Sequence, residues 1–323
     1  TREVIKVPSV PYHGMIDDEI GYVKLNSFTS TASSDVGKAL KFLKDSSGMK
    51  KLVFDLRGNG GGLLHESVNI VNFFIAKGKM VVATKGRLTD LNRDYKTLNT
   101  PFDEEMPIVV LVDGYSASAS EIVAGSLQDL DRAVIVGTTS YGKGLVQRTY
   151  DLDYGSKVKL TIAKYYTPSG RCVQRLEYYD RENGEKPQEI ADSLLKVFKT
   201  VNGRDVIDGR GVEPDIEVEL DDLSRLTATI LRNNFIFNYA TDYFYDHKEI
   251  SSASEFSLTD AEYDAFKAYV LEQEFTYSTA TEEKLKKMKE TAEDEGFYED
   301  VTTEYEALLA KVVPSKERDL VKF

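Results

Sequence analysis

Short apolar segments alternate with helical patterns from about residue 18 to residue 217, and this alternation constrains the fold more than any other feature. Apolar residues three and four apart predict helices that begin near Val36, Leu64 and Ile122, the first of them stopping at Gly48. Val- and Ile-rich segments predict strands at Ile20–Leu25, Leu52–Leu56, Met80–Thr84, Ile108–Val112, Ala133–Gly137 and Val158–Ala163. Strands and helices in alternation favour a largely parallel sheet covered by helices, so we expect an α/β domain.

The pattern changes after the segment 211–216. Strand-like segments stop there, and helical patterns take over at 223–245, 259–273, 281–295 and 302–312. Thr259 followed by Glu262 matches a capping box at the start of the second helical pattern. We therefore expect three parts: an N-terminal linker strand (1–17), an α/β core (18–219) and a helical C-terminal domain (220–323).

Composition excludes several classes of function. The net charge of −13 argues against nucleic-acid binding, which needs a basic surface. A single cysteine, Cys172, excludes an internal disulfide and a multi-cysteine metal site, and no two histidines have metal-ligand spacing. No segment approaches the eighteen or so apolar residues of a membrane span. We expect neither a metal nor a cofactor.

A glycine-rich segment, Asp55-Leu-Arg-Gly-Asn-Gly-Gly-Gly62, lies between a predicted strand and a predicted helix. Its glycines allow positive φ angles and let the backbone come close to another molecule. Successive N–H groups that lead into a helix N-terminus can bind an anion or a developing oxyanion. The alternative is a tight turn without a ligand, but the segment holds more glycine than a turn needs.

The segment 115–121, Tyr-Ser-Ala-Ser-Ala-Ser-Glu, also follows a predicted strand. Ser118 followed by Glu121 matches a capping box, so Ser118 could serve only to cap the next helix. The same position suits a nucleophile, because flanking alanines leave the hydroxyl accessible and the N–H of Ala119 is available to an oxyanion.

Lys143 lies in a third such segment, 137–144, which resembles a P-loop but has Gly144 where Ser or Thr would bind magnesium. The segment Leu145–Leu152 is followed at once by Gly155 and another predicted strand, which leaves little room for the helix that a P-loop requires. Enclosure by backbone favours a neutral lysine, which can accept the proton of a serine hydroxyl. The histidines, His13, His65 and His247, offer a weaker alternative: only His65 follows the glycine-rich segment and could form a Ser–His pair.

In this order the three segments are similar to those of the carboxyl-terminal processing (tail-specific) proteases. The resemblance runs from about Gly21 to Ile216 and rests on five motifs: DLRGNGGGL (55–63), SASASEIVAG (116–125), YGKGLVQ (141–147), YYTPSGR (165–171) and GVEPDI (211–216). It implies a ββα-spiral fold of the crotonase and Clp-protease type, followed here by the helical C-terminal domain.

The resemblance also implies roles for single residues. Ser118 is the implied nucleophile, Lys143 the base and Gln147 the residue that orients the lysine. Gly62 and Ala119 are the implied oxyanion donors, with Gly61 as the alternative to Gly62. The implied activity is a serine endopeptidase that cleaves proteins near their C-termini through an acyl-enzyme; the other reading is a catalytically silent peptide-binding module of the same fold.

Two further expectations come from the family. Its members usually carry a peptide-binding PDZ domain just before the segment that corresponds to residues 1–10, and we expect none in this sequence. They are usually exported, which implies a periplasmic or cell-envelope location. Because the sequence starts at Thr1 instead of a methionine, we expect any targeting signal to lie upstream. The sequence indicates no particular oligomeric state.

Overall fold

The computed structural model describes Arg2 and residues 7–178, 187–218, 223–252 and 255–320. The chain divides into two units, residues 1–219 and 220–323. Most of residues 1–6, at the start of the predicted linker strand, lie outside the described residues, as do residues 219–222, where the predicted core and helical domain meet.

The described residues form the following strands and helices. The strands are β1 (Tyr12–Met15), β2 (Ile20–Lys24), β3 (Lys51–Asp55), β4 (Met80–Lys85), β5 (Arg93–Lys96), β6 (Ile108–Val112), β7 (Val134–Gly137), β8 (Leu145–Asp151), β9 (Lys157–Tyr166), β10 (Leu176–Glu177), β11 (Gln188–Glu189), β12 (Val197–Lys199), β13 (Asp205–Ile207) and β14 (Ile216–Glu217). The helices are α1 (Ala32–Ser47), α2 (Leu64–Val71), α3 (Ala119–Asp129), α4 (Arg225–Arg232), α5 (Phe235–Asp246), α6 (Asp260–Glu272), α7 (Ala280–Asp294), α8 (Tyr298–Val312) and α9 (Lys316–Leu320).

The main sheet has six strands in the order β1-β2-β3-β6-β7-β14. All neighbours are parallel except β1 and β2. Helices α1, α2 and α3 contribute buried apolar residues to the same core as the central strands. The predicted α/β class and all six predicted strands are confirmed. The second helix is shorter than its apolar pattern, because it ends at Val71 and Ile75 lies beyond it.

A second sheet is antiparallel, in the order β5-β4-β9-β8. Strand β8 begins at Leu145, directly after the segment that contains Lys143. The prediction that no helix follows this lysine is therefore confirmed, and a P-loop is excluded because its phosphate-binding turn must open a helix.

The second unit is helical, as predicted. Leu226, Ile230, Phe266, Val270 and Leu320 are among the buried residues at its centre. The helical pattern predicted at 223–245 is two helices, because Asn234 adopts a left-handed conformation (φ 58°) that breaks it. The capping box of Thr259 and Glu262 is present at the start of α6. No helix among the described residues could span a membrane.

We expect Asp103 to make the first unit acid-sensitive. Burial works against ionisation, but the Lys44 ammonium and the N–H groups of Met106 and Glu105 lower the pKa of Asp103 to about 2. A carboxylate whose pKa is depressed on folding stabilises the fold above its unfolded pKa, and this contribution is lost as the pH falls from about 4 through about 2.

Chemical unfolding monitored by circular dichroism at pH 2 to 6 would test this contribution. Asp103→Asn should lower the free energy of unfolding at pH 6 and flatten its fall at acidic pH. Asp45→Asn, on the exposed face of α1, is the matched control and should keep the wild-type slope. An unchanged slope in Asp103→Asn would contradict the prediction.

Candidate active site

Three loops meet at one edge of the main sheet. They follow β3, β6 and β7, which are adjacent parallel strands and therefore end on the same side. The loops are the glycine-rich segment, the Ser118 segment and the Lys143 segment that the sequence singled out. Ser116 and Tyr141 join two of them directly, since the Tyr141 N–H donates to the Ser116 carbonyl over 3.0 Å.

Ser118 is held in a strained backbone conformation. Its φ and ψ angles are 58° and −109°, and it lies immediately before helix α3. A non-glycine residue at such a positive φ costs about 1–3 kcal/mol and persists only when its surroundings enforce it. Here its N–H donates to Glu121 over 2.7 Å, and its carbonyl accepts from the Ile122 N–H and the Tyr165 hydroxyl, each over 3.0 Å. These contacts enforce the conformation of the half-buried serine.

The Glu121 carboxylate is completely buried and joins the serine loop to the lysine loop. Its Oε2 accepts from the N–H groups of Ser118 (2.7 Å) and Lys143 (2.9 Å). Its Oε1 accepts from the Ser140 hydroxyl (2.6 Å) and the Gly142 N–H (2.7 Å). Burial raises the pKa of Glu121, and these four hydrogen bonds partly offset the rise. Glu121 thus does more than cap a helix, the role that its spacing suggested.

Gly61 lies against the serine. A Cβ added to Gly61 would be 2.9 Å from the Cβ of Ser118 and 2.9 Å from the nitrogen of Ala119. No larger residue fits there without displacing the serine loop. The N–H of Gly61 is already used, because it donates to the Asn59 side chain over 2.9 Å.

Gly62 is the next residue along the chain, and it lies against the Phe28 backbone instead of Ser118. A Cβ added to Gly62 would be 2.3 Å from the Phe28 carbonyl oxygen, so this side of Gly62 is closed by backbone. Gly62 is nevertheless exposed, whereas Gly61 is buried. Among the described residues no hydrogen-bond acceptor occupies the Gly62 N–H.

Asn59 is the buried centre of the glycine-rich loop. Its side-chain NH₂ donates to the Leu25 carbonyl over 2.8 Å, which ties the loop to the end of β2. Its own carbonyl accepts from the Ala117 N–H (3.0 Å) and the Ser120 hydroxyl (2.8 Å) on the serine loop. A single asparagine therefore fixes how the glycine and serine loops meet.

A groove of about 960 Å³ opens between the three loops and the second sheet. Gly60, Ala117, Lys143 and Gln147 line it. Gln147 lies on β8, beside an irregularity in the pairing with β9. A smaller cavity of about 590 Å³ lies at the opposite, amino end of the same parallel strands and contains none of these residues.

The structure thus brings Lys143 and Gln147 to one groove, beside the loop that carries Ser118. Ala119 is buried as the first residue of α3, where its N–H has no carbonyl partner within the helix. His65 is different: its side chain is 62% exposed on α2, Nε2 lies 3.4 Å from Glu66, and it is not among the groove-lining residues. His13 packs on Phe42 in the first unit.

Sequence reasoning missed Asn59 and Tyr165, and it gave Glu121 too small a role. The signal for Asn59 is a single non-glycine residue inside a glycine run. Tyr165 lies in one of the five motifs, but only the fold reveals that its hydroxyl reaches the Ser118 carbonyl. Contacts between residues 47 positions apart leave no mark on local patterns.

We expect Glu121→Gln to loosen the junction of the serine and lysine loops. A glutamine side chain keeps one acceptor oxygen but turns an NH₂ group toward two N–H or O–H donors, which leaves buried donors unsatisfied. The free energy of unfolding should fall by about 1–3 kcal/mol. Glu105→Gln, at an exposed position, is the control and should unfold like the wild type. Equal stability of all three proteins in urea would contradict the assigned role.

Two family models match the chain. Residues 19–178 match peptidase family S41. Residues 226–323 match a domain described as the C-terminal helical domain of a probable PDZ-protease.

Curated relatives point the same way. The chain is 43% identical over 176 residues to a carboxy-terminal-processing protease of Bartonella bacilliformis, a match that covers 54% of this chain and 40% of that protein. It is 40% identical over 196 residues to a probable CtpA-like serine protease of Staphylococcus aureus strain COL, which covers 59% of this chain and 37% of that protein. The matched region spans about two fifths of the length of these relatives.

Solved structures share the fold. The photosystem II D1 C-terminal processing protease superposes with a TM-score of 0.50 at 27% identity, over 68% of this chain and 50% of that protein. A putative S41 protease from Bacteroides fragilis superposes with a TM-score of 0.50 over 68% of this chain and 52% of that one. Its 15% identity supports likeness of fold alone.

Proposed function

We propose that the chain, which matches peptidase family S41 over residues 19–178, is a serine endopeptidase that cleaves proteins near their C-termini. The observation that carries this proposal is the strained Ser118, held at a helix N-terminus by the same buried carboxylate that holds the Lys143 loop. A nucleophile and its base must keep a fixed relation to one another, and one shared anchor provides it.

The proposed chemistry is acyl transfer. The neutral amine of Lys143 accepts the proton of the Ser118 hydroxyl as the oxygen attacks a substrate carbonyl. The ammonium then gives that proton to the leaving amine, and the acyl group stays on the serine as an ester. Water, deprotonated by the same amine, hydrolyses the ester and restores the enzyme. Gln147 shares the groove with Lys143, and we assign it the orientation of the lysine side chain.

Ala119 and Gly62 are our candidates for the oxyanion donors. The Ala119 N–H is at the first turn of α3, where the helix dipole also favours negative charge. Gly62 is preferred over Gly61 because the Gly61 N–H already donates to Asn59, whereas Gly62 is exposed.

A second candidate function is a peptide-binding module of the same fold without turnover. A protease is favoured over this module because the chain has Ser118 as the proposed nucleophile, Lys143 as the proposed base and Gln147 as the proposed orienting residue. The curated relatives are named as proteases, one of them as carboxy-terminal-processing. By analogy we propose protein substrates engaged through their C-terminal regions and a periplasmic or cell-envelope location.

We expect Ser118→Ala and Lys143→Ala each to abolish proteolysis without unfolding the protein. Removal of a nucleophile or its base costs at least ~1,000-fold in turnover. Hydrolysis of an unfolded protein would be measured beside circular dichroism. Ser34→Ala and Lys159→Ala, both at exposed positions, are the matched controls and should keep activity. Wild-type turnover in Ser118→Ala would refute the nucleophile, and turnover in no protein at all would favour the peptide-binding module.

The pH profile of activity tests the base. Only the neutral amine can take the serine proton, so activity should rise toward alkaline pH. His65→Asn should leave this rise in place, because His65 is exposed on α2 and paired with Glu66. If His65→Asn removes both the rise and the activity, a Ser–His pair is the better model.

A further inference from the structure

The groove beside Lys143 is lined by an excess of cations. Lys85, Arg87 and Lys164 line it together with Lys143. Among the described lining residues Glu177 is the only acid. The whole chain carries a net charge of −13, so the groove has the opposite sign to the protein that contains it. Such a local reversal of charge attracts anionic groups into the groove.

The register of the second sheet places two of these cations side by side. Lys85 on β4 and Lys164 on β9 are directly opposite partners in the antiparallel pairing, so both side chains project from the same face of the sheet. Like charges directly opposite each other destabilise a sheet. Glu177 offsets this only partly: one of its oxygens lies 3.8 Å from Lys164, at the outer limit of an ion pair.

The Lys85 ammonium has no carboxylate within ion-pair distance among the described residues. It lies 5.1 Å from the centre of the Tyr166 ring, which also lines the groove. Arg87 is two positions further along the chain and is exposed. Lys85 and Arg87 therefore offer two positive charges that the described part of the protein leaves available to a ligand.

We infer that this cationic wall, Lys85, Arg87 and Lys164, binds a carboxylate of the substrate. The inference rests on the proposed function, since it concerns the peptide that would occupy the same groove. Leu145 on β8 pairs with Lys164, and Lys143 precedes Leu145 by two residues. Lys143 therefore lies two residues before the position that pairs with Lys164 on the adjacent strand, and Lys85 lies one strand further. An extended peptide covers that span in about two to four residues.

Direct binding of peptides to the Ser118→Ala protein tests the inference independently of turnover. Three dye-labelled, alanine-rich decapeptides serve as probes: one with a free C-terminal carboxylate, one with a C-terminal amide, and one amidated with a single internal Glu. Fluorescence anisotropy gives each Kd. A carboxylate should tighten binding about 5- to 10-fold over the neutral peptide. The first and third probes distinguish the two sources of the carboxylate.

Matched variants decide whether the cationic wall is responsible. Lys85→Gln combined with Arg87→Gln, in the Ser118→Ala protein, should remove most of the preference for the carboxylate. The control is Lys159→Gln, because Lys159 lies on the same strand as Lys164 but outside the groove. This variant should keep the preference for the carboxylate. Raising the salt from about 50 mM to about 500 mM should shrink the preference in the control but not in the double variant.

Failure of this inference is distinguishable from failure of the proposed function. Equal Kd values for the three peptides, or an undiminished preference in the double variant, overturn the inference even if the wild type cleaves proteins. A carboxylate preference that depends on Lys85 and Arg87 supports it even if the wild type cleaves nothing, in which case the proposed proteolysis fails and peptide binding remains.

Discussion

The buried carboxylate of Glu121 is the interaction on which the arrangement of the site depends. A carboxylate without partners could not stay ionised in the interior, because the loss of hydration costs several kcal/mol. Here four donors surround it, from Ser118, Ser140, Gly142 and Lys143. Because three of these donors, from Ser140, Gly142 and Lys143, belong to the loop after β7, the carboxylate can be satisfied only when the serine and lysine loops are docked together.

The same junction explains how a strained serine persists. Two hydrogen bonds hold Ser118 at its positive φ. Its N–H donates to Glu121, and its carbonyl accepts from the hydroxyl of the buried Tyr165. The glycine-rich loop packs against the serine loop as well. Asn59 accepts a hydrogen bond from Ser120, and Gly61 allows the close approach because it has no side chain. The strain is thus held by elements from both sheets, as is usual where the backbone geometry of a site matters to its chemistry.

Electrostatics and shape act together in the groove. The antiparallel sheet supplies its wall, and the register of β4 and β9 places like charges side by side on that wall. The net charge of −13 repels acidic polypeptides at long range, whereas the cationic groove attracts them. For an endopeptidase this would direct the charged parts of a substrate to the residues that carry out the chemistry.

The sequence by itself determined the α/β class, six strands and the three loops that form the site, because apolar periodicity and glycine content are local properties. The resemblance of its motifs to those of a known protease family also pointed to Ser118, Lys143 and Gln147. Only the tertiary structure decided that Glu121 joins two loops, that Asn59 and Tyr165 hold the serine loop, and that Lys85 faces Lys164. These relations join residues 19 to 79 positions apart in the chain, and no local pattern encodes which distant residues the packing of two sheets will bring into contact.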